Sequence, residues 1–245
     1  MNQQFSSANK AKITILILGL LTLSLLGFLF FNLNRMNRNT EETKRTHDYF
    51  MDCHAAGALI RHGSDVMTNA VERYVITGNY VFRDLFFKEA NMDRNRDKGL
   101  EKVKDLPNGL TVRRDLENAM RYSVELMGLE FHAMRLVISD KELTEPDCPP
   151  EVRDYILPED EKSASLEERR KIAENIIFGL NYLTYKDHIY AAIDKSLDDA
   201  EKFLTDYRKS LTDQYKRLFF YQLKNFRTDM VLQFHFKVAN YDIPV

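Results

Sequence analysis

Apolar residues along this chain recur with helical rather than strand periodicity. The first such stretch, Ile13–Phe31, carries no charge at all. As a helix it would span about 28 Å, close to the thickness of a bilayer core. From 32 to 77 apolar positions recur at three and four: Phe50, Ala56 or Gly57, Ile60, Val66 or Met67, Ala70 or Val71, and Tyr74. That spacing predicts a helix with one buried stripe. Thr77-Gly78-Asn79 should end it, because Gly and Asn tolerate a left-handed C-cap. A second helix is expected over 80–104, with Phe82, Leu85 and Phe86 crowding its start and charge filling its end. Leu106-Pro107-Asn108-Gly109 reads as a turn. A third helix is expected over 111–139, with Leu116, Ala119 or Met120, Val124, Met127, Phe131, Met134 and Val137 or Ile138 in register.

The pattern then breaks. Pro146, Pro149, Pro150 and Pro158 fall in an acid-rich stretch over 144–161 that reads as a loop. A final helix should begin at Ser165, where Glu168 completes a capping-box pattern. Its stripe runs through Ala173, Leu180, Ile189, Ile193, Leu197, Leu204 and Leu211 to Leu218, in alternating steps of three and four for most of its length. That is the spacing of a helix bundle or coiled coil. The expected fold is all-α: an N-terminal transmembrane helix followed by an antiparallel helical bundle whose first and last helices are the long ones.

Composition narrows the class. Charged residues make up 29% of the chain and both signs are interspersed, as in a helix-rich folded domain. A net charge of −2 gives no reason to invoke nucleic acid. Lys10 and Lys12 precede the apolar run, and Arg35 and Arg38 follow it. A cleaved signal peptide would have a shorter apolar region and a small-residue cleavage site, whereas this one runs into Asn32-Leu33-Asn34-Arg35. It reads as an uncleaved anchor. Charge on both flanks weakens the orientation rule, but a short tail ordinarily stays inside while the large part crosses. The expected division is a cytoplasmic tail at 1–12, a membrane span at 13–31, an extracytoplasmic helical domain at 32–214 and a C-terminal extension at 215–245. No uncharged run of spanning length lies in that extension, which holds Lys216, Arg217, Lys224, Arg227, Asp229 and Lys237. It is expected to stay outside the bilayer, as a frayed helix end or against the membrane surface, so that residues 1–245 alone would not signal across it.

The candidate chemistry is modest. The histidines at 47, 54, 62, 132, 188 and 235 show no tight ligand spacing, and a surface or interhelix role is expected for them rather than metal. No nucleophile elbow, phosphate loop or catalytic carboxylate pair is present, so neither an enzyme nor a cofactor is expected. Cys53 and Cys148 are expected to lie too far apart for a disulfide. Tyr74, Glu130, Tyr182 and Lys186 lie on or beside the apolar stripes. They fit either a structural role, with a Lys–Glu pair fixing helix register, or a ligand-binding pocket between helices for a small acid or amine. Arg121 and Arg135, on either side of Gly128, are exposed candidates of lower weight.

Three blocks carry a resemblance. Ser64-Asp65-Val66-Met67-Thr68 with Tyr74-Val75-Ile76-Thr77-Gly78-Asn79 resembles the first signature of the extracytoplasmic, four-helix-bundle type sensor domains of bacterial transmembrane receptors. Those receptors include chemoreceptors, histidine kinases and diguanylate cyclases. Ser123, Leu126, Glu130, Ala133-Met134 and Leu136-Val137 resemble the second signature. Ala173, Ile176-Ile177-Phe178-Gly179, Tyr182, Lys186, Ile189 and Ile193 resemble the third. Order and rough spacing agree over 64–193. One departure is Glu72, where the family often has Arg, with Arg73 one position late. The resemblance implies a signal-transduction role, as in chemotaxis, in the bacterial inner membrane with the bulk of the chain periplasmic. It also implies a small-molecule ligand, and partnership as a homodimer or with a full-length receptor. No output module is recognisable, so a truncated receptor fits the sequence. The alternative is a membrane-tethered helical interaction protein that assembles by coiled-coil contacts and binds no small molecule.

Overall fold

The computed structural model describes residues 2–105, 111–146 and 148–239. Among them every regular element is helical and no strand occurs. The expected turn at 106–109 lies outside the described residues. Two helices dominate: α1, Asn2–Thr77, with 76 residues, and α9, Leu180–Ala239, with 60. Between them lie α2 (Tyr80–Lys88), α3 (Asn95–Lys102), α4 (Val112–Val137), α5 (Asp140–Leu143), α6 (Pro150–Arg153), α7 (Glu159–Ser163) and α8 (Leu166–Ile177). The chain divides into two compact units. One is 1–47 with 208–245, and the other is 48–207.

Local chemistry sets the boundaries of these helices. Gly78 takes φ +64° and its N–H donates to the Tyr74 carbonyl, which ends α1 at the expected place. Asn79 then caps α2 by accepting from the Val81 N–H at 3.0 Å. Ser139 with Glu142, and Ser165 with Glu168, form complete capping boxes at the starts of α5 and α8.

Two expected helices are each interrupted. The helix expected over 80–104 breaks at a π-helical turn, Glu89–Asp93, followed by Arg94 at φ 49°. The cause is Glu89, a buried carboxylate that turns back to accept from the Asn95 N–H at 2.8 Å and its Nδ2 at 2.7 Å. It thereby starts a new helix, α3, at a point with no Gly or Pro to announce it. The long final helix is likewise divided at Phe178-Gly179. A Cβ at Gly179 would lie 2.4 Å from the Asn175 carbonyl oxygen, so the chain can turn there only without a side chain. The proline-rich stretch is not wholly irregular, since α6 and α7 each form a short turn within it.

In the unit 48–207 one core joins α1, α2, α4, α8 and α9. Ile60, Met67, Val71 and Tyr74 come from α1, Phe86 from α2, Leu116, Leu126 and Met134 from α4, Ile177 from α8, and Tyr182, Ile189 and Ile193 from α9. Phe86 and Phe87 both face Phe131, the latter nearly parallel at 6.1 Å, so this aromatic group serves the core. Following α1 forward, its partners on α9 run backward: Arg61 bonds Asp194, Asp65 bonds Tyr190, and Glu72 bonds Lys186. α3 lies close on α1, because Gly63 faces Arg96 and Gly99 faces Ile60 and the Ala56 carbonyl. Cys53 and Cys148 are both buried thiols. Cys53 lies on α1 and Cys148 in the loop before α6, and no disulfide joins them.

In the other unit α9 remains helical through Ala239. The N-terminal part of α1 holds a window with mean hydropathy 2.5, none of it buried, which is long and apolar enough to cross a membrane.

Candidate functional site

Two groups of buried polar side chains stand out among the described residues of the unit 48–207. The first lies where α1, α3, α4 and α9 meet. Glu130 is 1% exposed, and its Oε1 accepts from the Tyr182 hydroxyl at 3.1 Å. Arg96, also buried, donates from Nη1 to Ser123 Oγ at 2.7 Å and turns the same guanidinium toward Met127 Sδ. Ser123 in turn meets Ser64 Oγ at 3.2 Å. One turn along α9 from Tyr182, Lys186 donates to Glu72 Oε1 at 3.0 Å, and its ammonium lies 5.8 Å from the Tyr182 ring centroid.

Burial dominates the electrostatics. It pushes Glu130 up to about 7, against the pull of the Tyr182 hydroxyl, Arg96 and Lys186. It also raises the Tyr182 phenol, with the Glu130 and Glu72 carboxylates adding to the effect. The same desolvation lowers Arg96, partly offset by Glu130, Asp97 and Glu89. Tyr190 is pushed up to about 12 by burial and by its hydrogen bond to Asp65.

The second group closes the far end of α1. The Tyr74 hydroxyl donates to Glu142 Oε1 at 3.4 Å, and Arg83 Nη1 lies 3.6 Å from the same oxygen. Arg83 is 1% exposed and also bonds Asp84 through Nε at 3.1 Å and Nη2 at 2.9 Å. Burial, and then the Glu142 carboxylate, raise the Tyr74 phenol.

Of the four residues singled out from sequence, three therefore come together: Glu130, Tyr182 and Lys186. Tyr74 does not join them. It follows Glu72 by two positions, a rotation of roughly 200° about α1, and faces Glu142 instead. The Lys–Glu pair forms, but with Glu72 rather than Glu130. Arg121 is exposed and bonded to Glu125. Arg135 is half-buried, with Nε and Nη1 shielded and without a hydrogen-bond partner. His132 bonds Glu161 at 2.6 Å and stacks on Tyr155. Among the described residues no trio of His, Cys, Asp or Glu is arranged to hold a metal ion.

Arg83, Arg96 and Glu142 were not singled out from sequence. Arg96 lies in a run of charges that reads as a solvated helix face. The one available signal was Gly99, a lone glycine in that run, which marks the close approach of α3 to α1.

In the other unit, an open groove of about 810 Å³ runs between α1 and α9. Met36, Thr40, Thr43 and Lys44 line one side, and Arg208, Leu211 and Tyr215 the other. Comparison of the chain with protein-family models, with curated proteins and with solved structures returns no match.

Proposed function

We propose that this chain is the membrane-anchored sensor region of a bacterial signal-transduction receptor. In this reading Ile13–Phe31 crosses the inner membrane, and the helices of 48–207 form an antiparallel bundle on the extracytoplasmic side. Signals pass as small changes in helix packing along α1 and α9. The observation that carries the reading is α1 itself. One helix holds both a bare apolar segment, with Ile15 71%, Leu16 66% and Leu23 67% exposed, and the core-facing positions from Cys53 to Tyr74. Exposed leucine and isoleucine at that density need lipid around them. Polar links between α1, α4 and α9 give a shift of α9 a route to α1. The three sequence blocks support the same reading. A second copy of the chain or a full-length receptor is the expected partner.

A second reading is favoured by the mutual pairing inside the first polar group. Tyr182 satisfies Glu130 in the core and Glu72 satisfies Lys186 in a half-buried pair beside it, so the group can serve as a register lock with no ligand. The chain would then be a membrane-tethered interaction protein. A small-molecule thermal-shift screen of the purified, detergent-solubilised chain separates the two. The sensor reading predicts a small acid or amine that raises the melting point of the wild type and not of Lys186→Ala. A screen with no such compound favours the interaction protein.

A further inference from the structure

Glu130 differs from the other buried carboxylates of this unit. Glu89 accepts two hydrogen bonds from Asn95. Asp115 is paired with Lys195 at 2.6 Å. Among the described residues Glu130 has no ion pair within 4 Å, and its partner is a neutral phenol. Each cation near it is engaged elsewhere, Lys186 with Glu72 and Arg96 with Ser123 and Met127. α1 contributes Glu72 and Asp65, the latter bonded by Tyr190. The turn before α3 contributes Glu89, and α9 contributes Tyr182 and Lys186. α8, which packs along α4, contributes Ala173 and Ile177 to the core and keeps Arg169, Arg170 and Glu174 half-buried. A carboxylate in such a place has little to offset its desolvation, and a neutral carboxylic acid has little to lose.

We propose that the Glu130–Tyr182 pair is a proton-uptake site, and that loss of the Glu130 proton loosens the seat of α9 against α4. Ionisation places a bare negative charge in the core. Relief comes from turning Arg96 away from Ser123 or from letting α9 lift and admit water, and either change alters the packing of α1, α4 and α9. The direction of Glu130, pushed up to about 7 by burial, puts this change near neutral pH. The sign follows from linkage. The folded state holds this proton over a pH range in which the unfolded chain has already lost it, so stability falls as pH rises through that range and then levels off. As a signalling input the switch rests on the sensor reading; proton uptake itself does not.

The test uses the full chain in lipid nanodiscs at about pH 5 and about pH 9, on either side of the Glu130 ionisation in the folded chain. Infrared difference spectra should show a carboxylic-acid band that is lost on raising the pH and is absent from Glu130→Gln. Hydrogen exchange over 180–193 at the higher pH should be several-fold slower in Glu130→Gln than in wild type, and the two should match at the lower pH. If Glu130→Gln does not fold, Tyr182→Phe removes the hydroxyl donor and should move the loss of the band to higher pH. A Glu130 band unchanged between the two pH values overturns the proposal. So does a band that is lost with no difference in α9 exchange, or a midpoint that Tyr182→Phe leaves unmoved. None of these outcomes bears on membrane anchoring or on the ligand screen.

Discussion

Gly99 and Gly128 both sit inside helices, and their surroundings give them opposite fates. A Cβ at Gly99 would lie 2.7 Å from Ile60 Cγ1 and 2.8 Å from the Ala56 carbonyl oxygen. The carbonyl belongs to the α1 backbone and cannot yield, so Gly99→Ala should force α3 off α1 and destabilise the fold by about 1–3 kcal/mol. A Cβ at Gly128 meets nothing within 4 Å. There Gly128→Ala should gain roughly 0.5–1 kcal/mol, because alanine loses less conformational freedom in a helix. Thermal melts of the two variants should move in opposite directions, and a gain at Gly99 would refute the close contact. The same contrast explains what was legible at the site. Glu130, Tyr182 and Lys186 could be picked out because each lies on or beside an apolar stripe. Arg83, Arg96 and Glu142 could not, because burial of a charge is decided by elements distant in sequence.

At the scale of elements, the ends of helices were more legible than their interruptions. Thr77-Gly78-Asn79 and Ser165-Glu168 act through their own backbone and side-chain chemistry, and both work as read. The break after Lys88 depends on the Glu89 carboxylate reaching Asn95, which periodicity does not register. The two capping boxes also carry different burdens. Glu168 bonds Ser165 and lies at the surface. Glu142 closes the box on Ser139 and also receives Tyr74 and faces Arg83. Glu142→Ala would break the Ser139 box and take the acceptor from the buried Tyr74 hydroxyl while Arg83 keeps Asp84, and should destabilise the chain by about 1–3 kcal/mol. Glu168→Ala should leave the melting point nearly unchanged. Equal effects in the two melts would show that the Tyr74–Glu142–Arg83 group does not anchor the end of α1.

At the scale of the whole molecule, the two units ask for different surroundings. The unit 48–207 buries a core that runs from Cys53 to Ala200, although single apolar residues such as Ile156 and Leu180 stay exposed. Among the described residues nothing covers the apolar window of α1. That this window is long and apolar enough to cross a membrane was legible because length and lack of charge suffice to read it, whereas sidedness depends on flanking charge that is balanced here. Labelling with a membrane-impermeant maleimide tests the central claim most directly. Asn69 is exposed on α1 while Cys53 and Cys148 are buried, so Asn69→Cys supplies the reactive thiol. The account predicts that Asn69→Cys labels in intact cells, that the chain resists extraction by alkali, and that Leu23→Arg, at about 2.5–3.5 kcal/mol for a charge in the bilayer centre, lowers that resistance. Labelling of Asn69→Cys only after the cells are opened, or release of the wild-type chain by alkali, would contradict it.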